Sequence, residues 1–338
     1  MSDLEEPTLR VGVVDGETAV HLAAGELEAT FLPGLGLLGT SLRHRGEELL
    51  ALPGGVAGYR GRHVTGLPLL APWANRLPEW RYQAAGVEVD LDGLDLHTDP
   101  GGLPIHGTLT AHRGWRLERL AADADRAVLE AGLDYGDWPE LLAAFPFPHR
   151  LTVTFALQGA SLAVATTLAA TGERPVPVAF GWHPYLRLPG APRAAWRLLL
   201  PARTHLELDD RGLPTGKAAD EPAEADPVGD RTFDDLYTLA SDPRSGQDPV
   251  GERTYDDLYA LGDDPAGRRL GLEAAGRRLV VGYGDGYDHA QVFAPPGAEF
   301  LCLEPMTGPT AALAAGTTPL VQPGDAFTAR FAVSVEDA

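Results

Sequence analysis

Apolar and polar residues alternate along much of the chain. In the stretch 151–158 the odd positions Leu151, Val153, Phe155 and Leu157 share one side of an extended backbone, and after Gly159 the run 161–170 continues the pattern. Successive side chains of a strand point to opposite faces, so this spacing predicts a hairpin with one buried face. Residues 17–25, 26–34 and 39–50 read as short strands punctuated by Gly and Pro, at the spacing of antiparallel hairpins. The runs 277–283, 290–296, 300–305 and 327–335 repeat the signal. Helical periodicity is confined to short pieces such as 138–145. The expected fold is all-β, a large antiparallel β-sandwich of two sheets.

At 338 residues the naive prior is two domains, but sandwiches often run long as one. A single domain over 1–338 is therefore expected. The 40 glycines and 29 prolines suit many turns between short strands. A net charge of -21 argues against nucleic acid and anionic membrane as partners, since both call for a basic surface. Cys302 is the single cysteine, which excludes an internal disulfide and a cysteine-based zinc cluster and fits a reducing compartment. The first ten residues are acidic where a secretory leader is basic, and no apolar run is long enough to span a bilayer. A cytoplasmic protein is the expectation. Residues 226–243 recur as 248–265 with a period of 22. Two copies are too few for a solenoid, so one copy is expected in the ancestral position and the other as an added surface loop.

Four stretches carry candidate chemistry. In 180–189 His183 precedes Pro184, which bars helix and holds the imidazole on extended backbone. Its neighbours Trp182 and Tyr185 have flat faces of the kind that stack on sugar rings. The stretch 66–83 is too broken for a helix and too apolar for a free loop, and it presents Asn75 and Arg76. In 97–115 stand His97, His106 and His112, at spacings that match no helical metal pair, so no metal site is expected. His106, between Pro104-Ile105 and Gly107, is the most exposed to function, and the other two read as surface residues. Glu304 ends an apolar strand before Pro305. A carboxylate there is either ion-paired, with Arg76 as a candidate partner, or a base whose affinity for protons is raised by its apolar setting.

The ordered motifs PWANR, PIHG, FGWHPYL, LPTG, DDLY and CLEPMTGP resemble the aldose 1-epimerase (galactose mutarotase-like) family. The likeness runs from about Gly34 to the end of the chain. It implies a galactose mutarotase-like supersandwich that works without metal or organic cofactor on a monosaccharide; a monomer or homodimer is expected. By the same resemblance the general base falls on Glu304, the general acid on His183, a further site histidine on His106 and a site arginine on Arg76 beside Asn75. A sugar-binding aspartate falls on the first Asp of DDLY, which is Asp234 or Asp256 because of the repeat, with Asp256 slightly favoured for its lead into the next strand. The chemistry agrees: opening and closing a hexose ring needs one proton removed and one delivered, so a carboxylate and an imidazole facing each other across a sugar supply both. The alternatives are a glycoside hydrolase built on two carboxylates, a hexose 6-phosphate epimerase, for which Arg43, Arg45 and Arg187 form no compact cluster, and a non-catalytic sugar-binding protein of the same fold.

Overall fold

The computed structural model describes residues 6–239 and 268–338. Two large antiparallel sheets dominate it. The nine-stranded sheet runs in the order Glu224–Pro227, Arg197–Leu200, Arg269–Ala274, Arg277–Tyr283, Ala326–Asp337, Ser161–Ala170, His149–Gln158, Arg126–Asp134, Arg116–Ala122. The eight-stranded sheet has Leu301–Met306 near its middle, between His289–Ala294 on one side and the short strands Gly181–Trp182 and Tyr185–Leu186 on the other. Beyond His289–Ala294 lie Phe233–Thr238, Arg203–Leu208 and Pro214–Glu221 in turn. A third sheet of five strands, from Thr8–Val14 to Glu47–Glu48, packs on this pair. The alternation of the chain predicted two sheets and the elements of the third, but not that those elements form a sheet of their own.

The predicted hairpin is present, with Leu151 opposite Leu168 and Leu157 opposite Leu162, and Gly159 turns the chain at φ 57°, a left-handed conformation that glycine adopts without steric cost. Phe155 points inward and ties the three sheets together. It stacks on Phe31 of the five-stranded sheet at 4.0 Å and meets the Trp182 ring of the eight-stranded sheet edge-on at 5.6 Å. Around these rings one continuous apolar core extends, each buried Leu, Val or Phe contributing about 1.5–3 kcal/mol. Helix is sparse, and the piece expected at 138–145 is the helix Pro139–Ala144. Strands Arg203–Leu208 and Pro214–Glu221 left no alternating signal because Pro214–Glu221 is exposed along nearly its whole length.

Candidate functional site

The strand Leu301–Met306 is buried at every residue. Leu301 and Leu303 join the core, and the opposite face carries Cys302 and Glu304. Register places Gln291 beside Glu304, Phe293 beside Cys302 and Asp234 beside Phe293. Five side chains from three strands thus line one face of the sheet. Gln291 Nε2 donates to Asp234 Oδ1 at 2.7 Å. Asp234 also forms part of the wall of an open cavity of about 300 Å³, together with His205, Glu207, Leu208, Asp209, Asp210, Gly212 and Asp235.

His183 enters from the neighbouring short strands. Its backbone N–H donates to Pro68 O at 3.1 Å, and its ring lies flat on Tyr185 at 4.6 Å and edge-on to Phe293 at 5.8 Å. His183 Nε2 stands 3.3 Å from Glu304 Oε1. From the chain alone the two groups were expected on opposite sides of a sugar. They touch, leaving no ring-sized gap between them, because their backbones are neighbours in one sheet. A molecule that met both groups would do so from the same side.

His106 and Asn75 complete this wall. The His106 N–H donates to Asn75 O at 3.0 Å, and both residues have positive φ, 64° and 54°. Such backbone is uncommon for any residue but glycine, and Asn and His tolerate it better than most. Gly107 follows because a Cβ there would lie 2.1 Å from Ala71 O. The short sequence PIHG therefore records a left-handed pair packed against the strand that precedes Asn75. Strain of this kind costs on the order of 1–3 kcal/mol per residue and concentrates at functional sites. The His106 ring meets His183 edge-on at 5.5 Å and stacks on His97 at 5.9 Å.

Burial sets the electrostatics. Glu304 is 1% exposed, and desolvation holds its carboxyl well above the usual carboxylate range; the charge of Asp234 pushes the same way and Arg76 opposes. Desolvation lowers His183 to about 3 and brings His106 well below the ordinary imidazole value, with further lowering by His183, His97 and Arg76. Burial therefore biases the pair toward a protonated carboxyl beside a neutral imidazole. Glu304 Oε2, His183 Nδ1, His106 Nδ1, Asn75 Nδ2 and Gln291 Oε1 are buried without hydrogen-bond partners. Unmet buried polar atoms are costly, which makes the residues that carry them candidates for binding a polar ligand.

Several expectations need correction. Trp182 does not face this wall: it is fully buried, donates from Nε1 to Thr166 Oγ1 at 3.0 Å, and packs between the sheets on Phe155 and Phe331. Alternation explains this, since Trp182 and His183 are adjacent in sequence and point apart. Tyr185 spends its faces on His183 and Phe300, so it supports the imidazole and has no free face for a sugar. Arg76 pairs with Asp99, Nε to Oδ2 at 2.7 Å, and not with Glu304. Asp256 lies outside the described residues. His97 is half-buried in the histidine stack, and His112 packs against Trp138 and accepts from Gly114 N–H. Asp99 and Gln291 drew no attention in the chain. Gln291 carried the same signal as Glu304, a lone polar residue in an apolar strand. No metal-ligand spacing shows along the chain, yet the fold brings donor atoms of His183, Cys302 and Glu304 within 4.8 Å of one another, close enough to hold an ion. Burial, and secondarily Glu304, pushes the Cys302 thiol well up, so a metal there would have to displace tightly held protons.

Among the described residues no helix is long and apolar enough to cross a membrane. Comparison with solved structures finds the same fold repeatedly. A galactose mutarotase-like protein from Clostridium acetobutylicum superimposes with a TM-score of 0.82 at 18% identity, over 98% of this chain and 99% of that one. A protein from Synechocystis sp. PCC 6803 gives 0.71 at 21%, over 100% and 99%. Galactose 1-epimerase from Lactobacillus acidophilus gives 0.73 at 14%, over 99% and 100%. At these identities the likeness speaks for the fold. The family model for aldose 1-epimerase matches residues 33–334, nearly the whole length, and the chain belongs to that family.

Proposed function

We propose that the protein is an aldose 1-epimerase that interconverts the α and β anomers of a hexose, with Glu304 and His183 as its acid–base pair. The observation that carries the reading is their direct contact at 3.3 Å on a wall where both keep an unpartnered atom. Removing a proton from the anomeric hydroxyl, breaking the bond from C1 to the ring oxygen and protonating that oxygen open the ring. Rotation about C1–C2 and reversal of the same transfers close it on the other face. Both oxygens sit on C1, so two groups in contact reach both from one side of the sugar.

In the opening step Glu304 takes the hydroxyl proton and His183 gives one to the ring oxygen; on closing they exchange roles. The working tautomer, carboxylate with imidazolium, holds the same single proton as the state that burial favours. A hydroxyl donating to the carboxylate stabilises its charged form and so shifts the proton toward His183. His106, Asn75 and Arg76 hold the remaining hydroxyls. We assign the sugar-binding aspartate to Asp234, on the support of its bond to Gln291 and its electrostatic coupling to Glu304. A positioned acid–base pair gives typically about 10²–10⁴-fold per group, which suits a reaction that already runs slowly in water. Polarimetry of freshly dissolved α-D-glucose and α-D-galactose tests the assignment: the protein shortens the approach to the equilibrium rotation. A rate equal to that of buffer across a panel of aldoses and their 6-phosphates refutes it.

A further inference from the structure

We infer that Asp99 is a positioning residue of this site: it grips the Arg76 guanidinium by its Nε edge and so leaves the terminal nitrogens to the sugar. The inference rests on the proposed sugar site and adds to it a residue that acts only through Arg76. Asp99 Oδ2 accepts from Arg76 Nε at 2.7 Å. The pair is sheltered, with the Asp99 side chain 6% exposed and that of Arg76 15%. Among the described residues Nη1 and Nη2 have no hydrogen-bond acceptor, yet the charge they carry is felt by Glu304 and His106. A guanidinium is a rigid planar fork, so fixing one edge fixes the direction of the donors at the other.

A whole turn is committed to this contact. Asp99 N–H donates to Leu103 O and Gly102 N–H to Asp99 O, each at 2.9 Å, and Asp99 Oδ1 accepts from Leu103 N–H at 2.9 Å. The two carboxylate oxygens thus have separate duties, Oδ1 to the turn and Oδ2 to Arg76. The outgoing arm is pinned to the segment that carries Arg76, with Leu77 N–H donating to Pro104 O at 2.8 Å and His106 N–H to Asn75 O at 3.0 Å. Residues two apart share a face of an extended chain. His97, two before Asp99, stacks on His106 at 5.9 Å, so one arm backs both the site histidine and the site arginine. Burial alone would raise the Asp99 carboxyl, but the Arg76 hydrogen bond and the N–H groups of Leu103 and Gly101 bring it below the ordinary carboxylate value, and it stays charged at neutral pH. On the opposite side Gly212, at φ 69°, lies against the guanidinium, where a Cβ would collide with Nη1. Arg76 is therefore held between a carboxylate and a glycine.

The test is a double-mutant cycle read by binding, so that it does not depend on turnover. Dissociation constants for glucose, galactose and their 6-phosphates are measured by ligand-observed NMR on wild type, Asp99→Asn, Arg76→Gln and the double variant, with a thermal melt of each. Asn keeps the size of Asp but offers one acceptor oxygen where both are used. Asp99→Asn is expected to weaken the sugar that wild type binds tightest about tenfold, as loss of a charge-assisted hydrogen bond implies. Arg76→Gln weakens it at least as much, and adding Asp99→Asn to Arg76→Gln changes nothing further, because a residue that acts through another is silent once the other is gone. Gly212→Ala, which pushes the guanidinium from the far side, weakens binding with Asp99 intact and decides the matter if Asp99→Asn does not fold. Wild-type affinity in Asp99→Asn or Gly212→Ala, or additive losses in the double variant, overturns the inference, whatever the melting temperatures. If the cycle closes as expected while polarimetry shows no turnover, the positioning role stands and the catalytic reading fails. Turnover in the wild type with an additive cycle has the opposite meaning, and a wild type that binds none of these sugars sinks both.

Discussion

Replacing Glu304 with Gln separates catalysis from stability at one atom. The amide keeps the shape of the carboxyl but neither takes nor gives a proton at C1, so the mutarotation rate is expected to fall by about 10²–10⁴-fold. Stability moves the other way. Burial raises the Glu304 carboxyl well above its ordinary value, which means the folded state resists the charged form. A group raised in this way contributes its stability below the unfolded carboxyl value of about 4.3 and loses it as pH climbs through the folded value. Gln has no such loss. The variant should therefore match or trail the wild type near pH 4 and surpass it progressively as pH rises. His183 sets the acid side of the rate profile: displacement from 6.5 to about 3 corresponds to roughly 5 kcal/mol against protonating the ring alone. The pair then carries one proton from about pH 3 up to the raised value of Glu304, and activity should persist well below the ordinary imidazole value. Polarimetric rates and urea melts across pH 4–8 for both proteins provide the check. A variant that is inactive and also less stable at pH 8, or a wild-type rate that halves near pH 6.5 on the acid side, refutes the reasoning.

Asp234→Asn should lower kcat/KM about 10–100-fold, as loss of a charged hydrogen bond of about 1.5–3 kcal/mol implies, while Asp256→Asn leaves it near wild type; equal effects in steady-state polarimetry would contradict the assignment to the first copy. Trp182→Phe should cost about 1–3 kcal/mol in a denaturant melt, for the orphaned Thr166 hydroxyl and the lost indole volume, with KM unchanged; a raised KM at unchanged stability would return the indole to the sugar site. His149 is fully buried and lowered to about 4 by desolvation, so its stabilisation is complete above the unfolded value near 6.5 and is lost as pH falls to about 4, by roughly 3 kcal/mol. His149→Phe should flatten the fall in stability between those two pH values, and an unchanged slope would place the acid sensitivity elsewhere.

The fold was legible where one face of a strand is buried and the other is not. The hairpin 149–170 and the strand 277–283 announced themselves because a half-buried sheet writes its period into the chain. Pro214–Glu221 left no mark, since a strand exposed on both sides places no demand on its residues. Leu301–Met306 is the reverse case: it is buried on both sides, and its polar members stood out against an apolar background instead of alternating with it.

For the site, type was legible and direction was not. Glu304, His183 and His106 stood out as polar residues directly before Pro or Gly, while the resemblance of the ordered motifs supplied their expected roles and that of Arg76. Which way each side chain points depends on strand parity, and parity at a two-residue strand is invisible in the chain. Trp182 and His183 show the consequence, adjacent in sequence yet one sealed in the core and the other at the wall. The same blindness hid Asp99 and Gln291, whose importance comes wholly from what they touch. Left-handed backbone at Asn75 and His106, a desolvated carboxyl at 304 and five unmet polar atoms each oppose folding. They are tolerated because the three-sheet core around Phe155 is large enough to offset them, and they fall together because a ligand that donates and accepts hydrogen bonds at that wall relieves most of them at once. A core-facing polar cluster with no ligand would have no such relief, which is why the concentration of unfavourable features is itself the argument for a binding site.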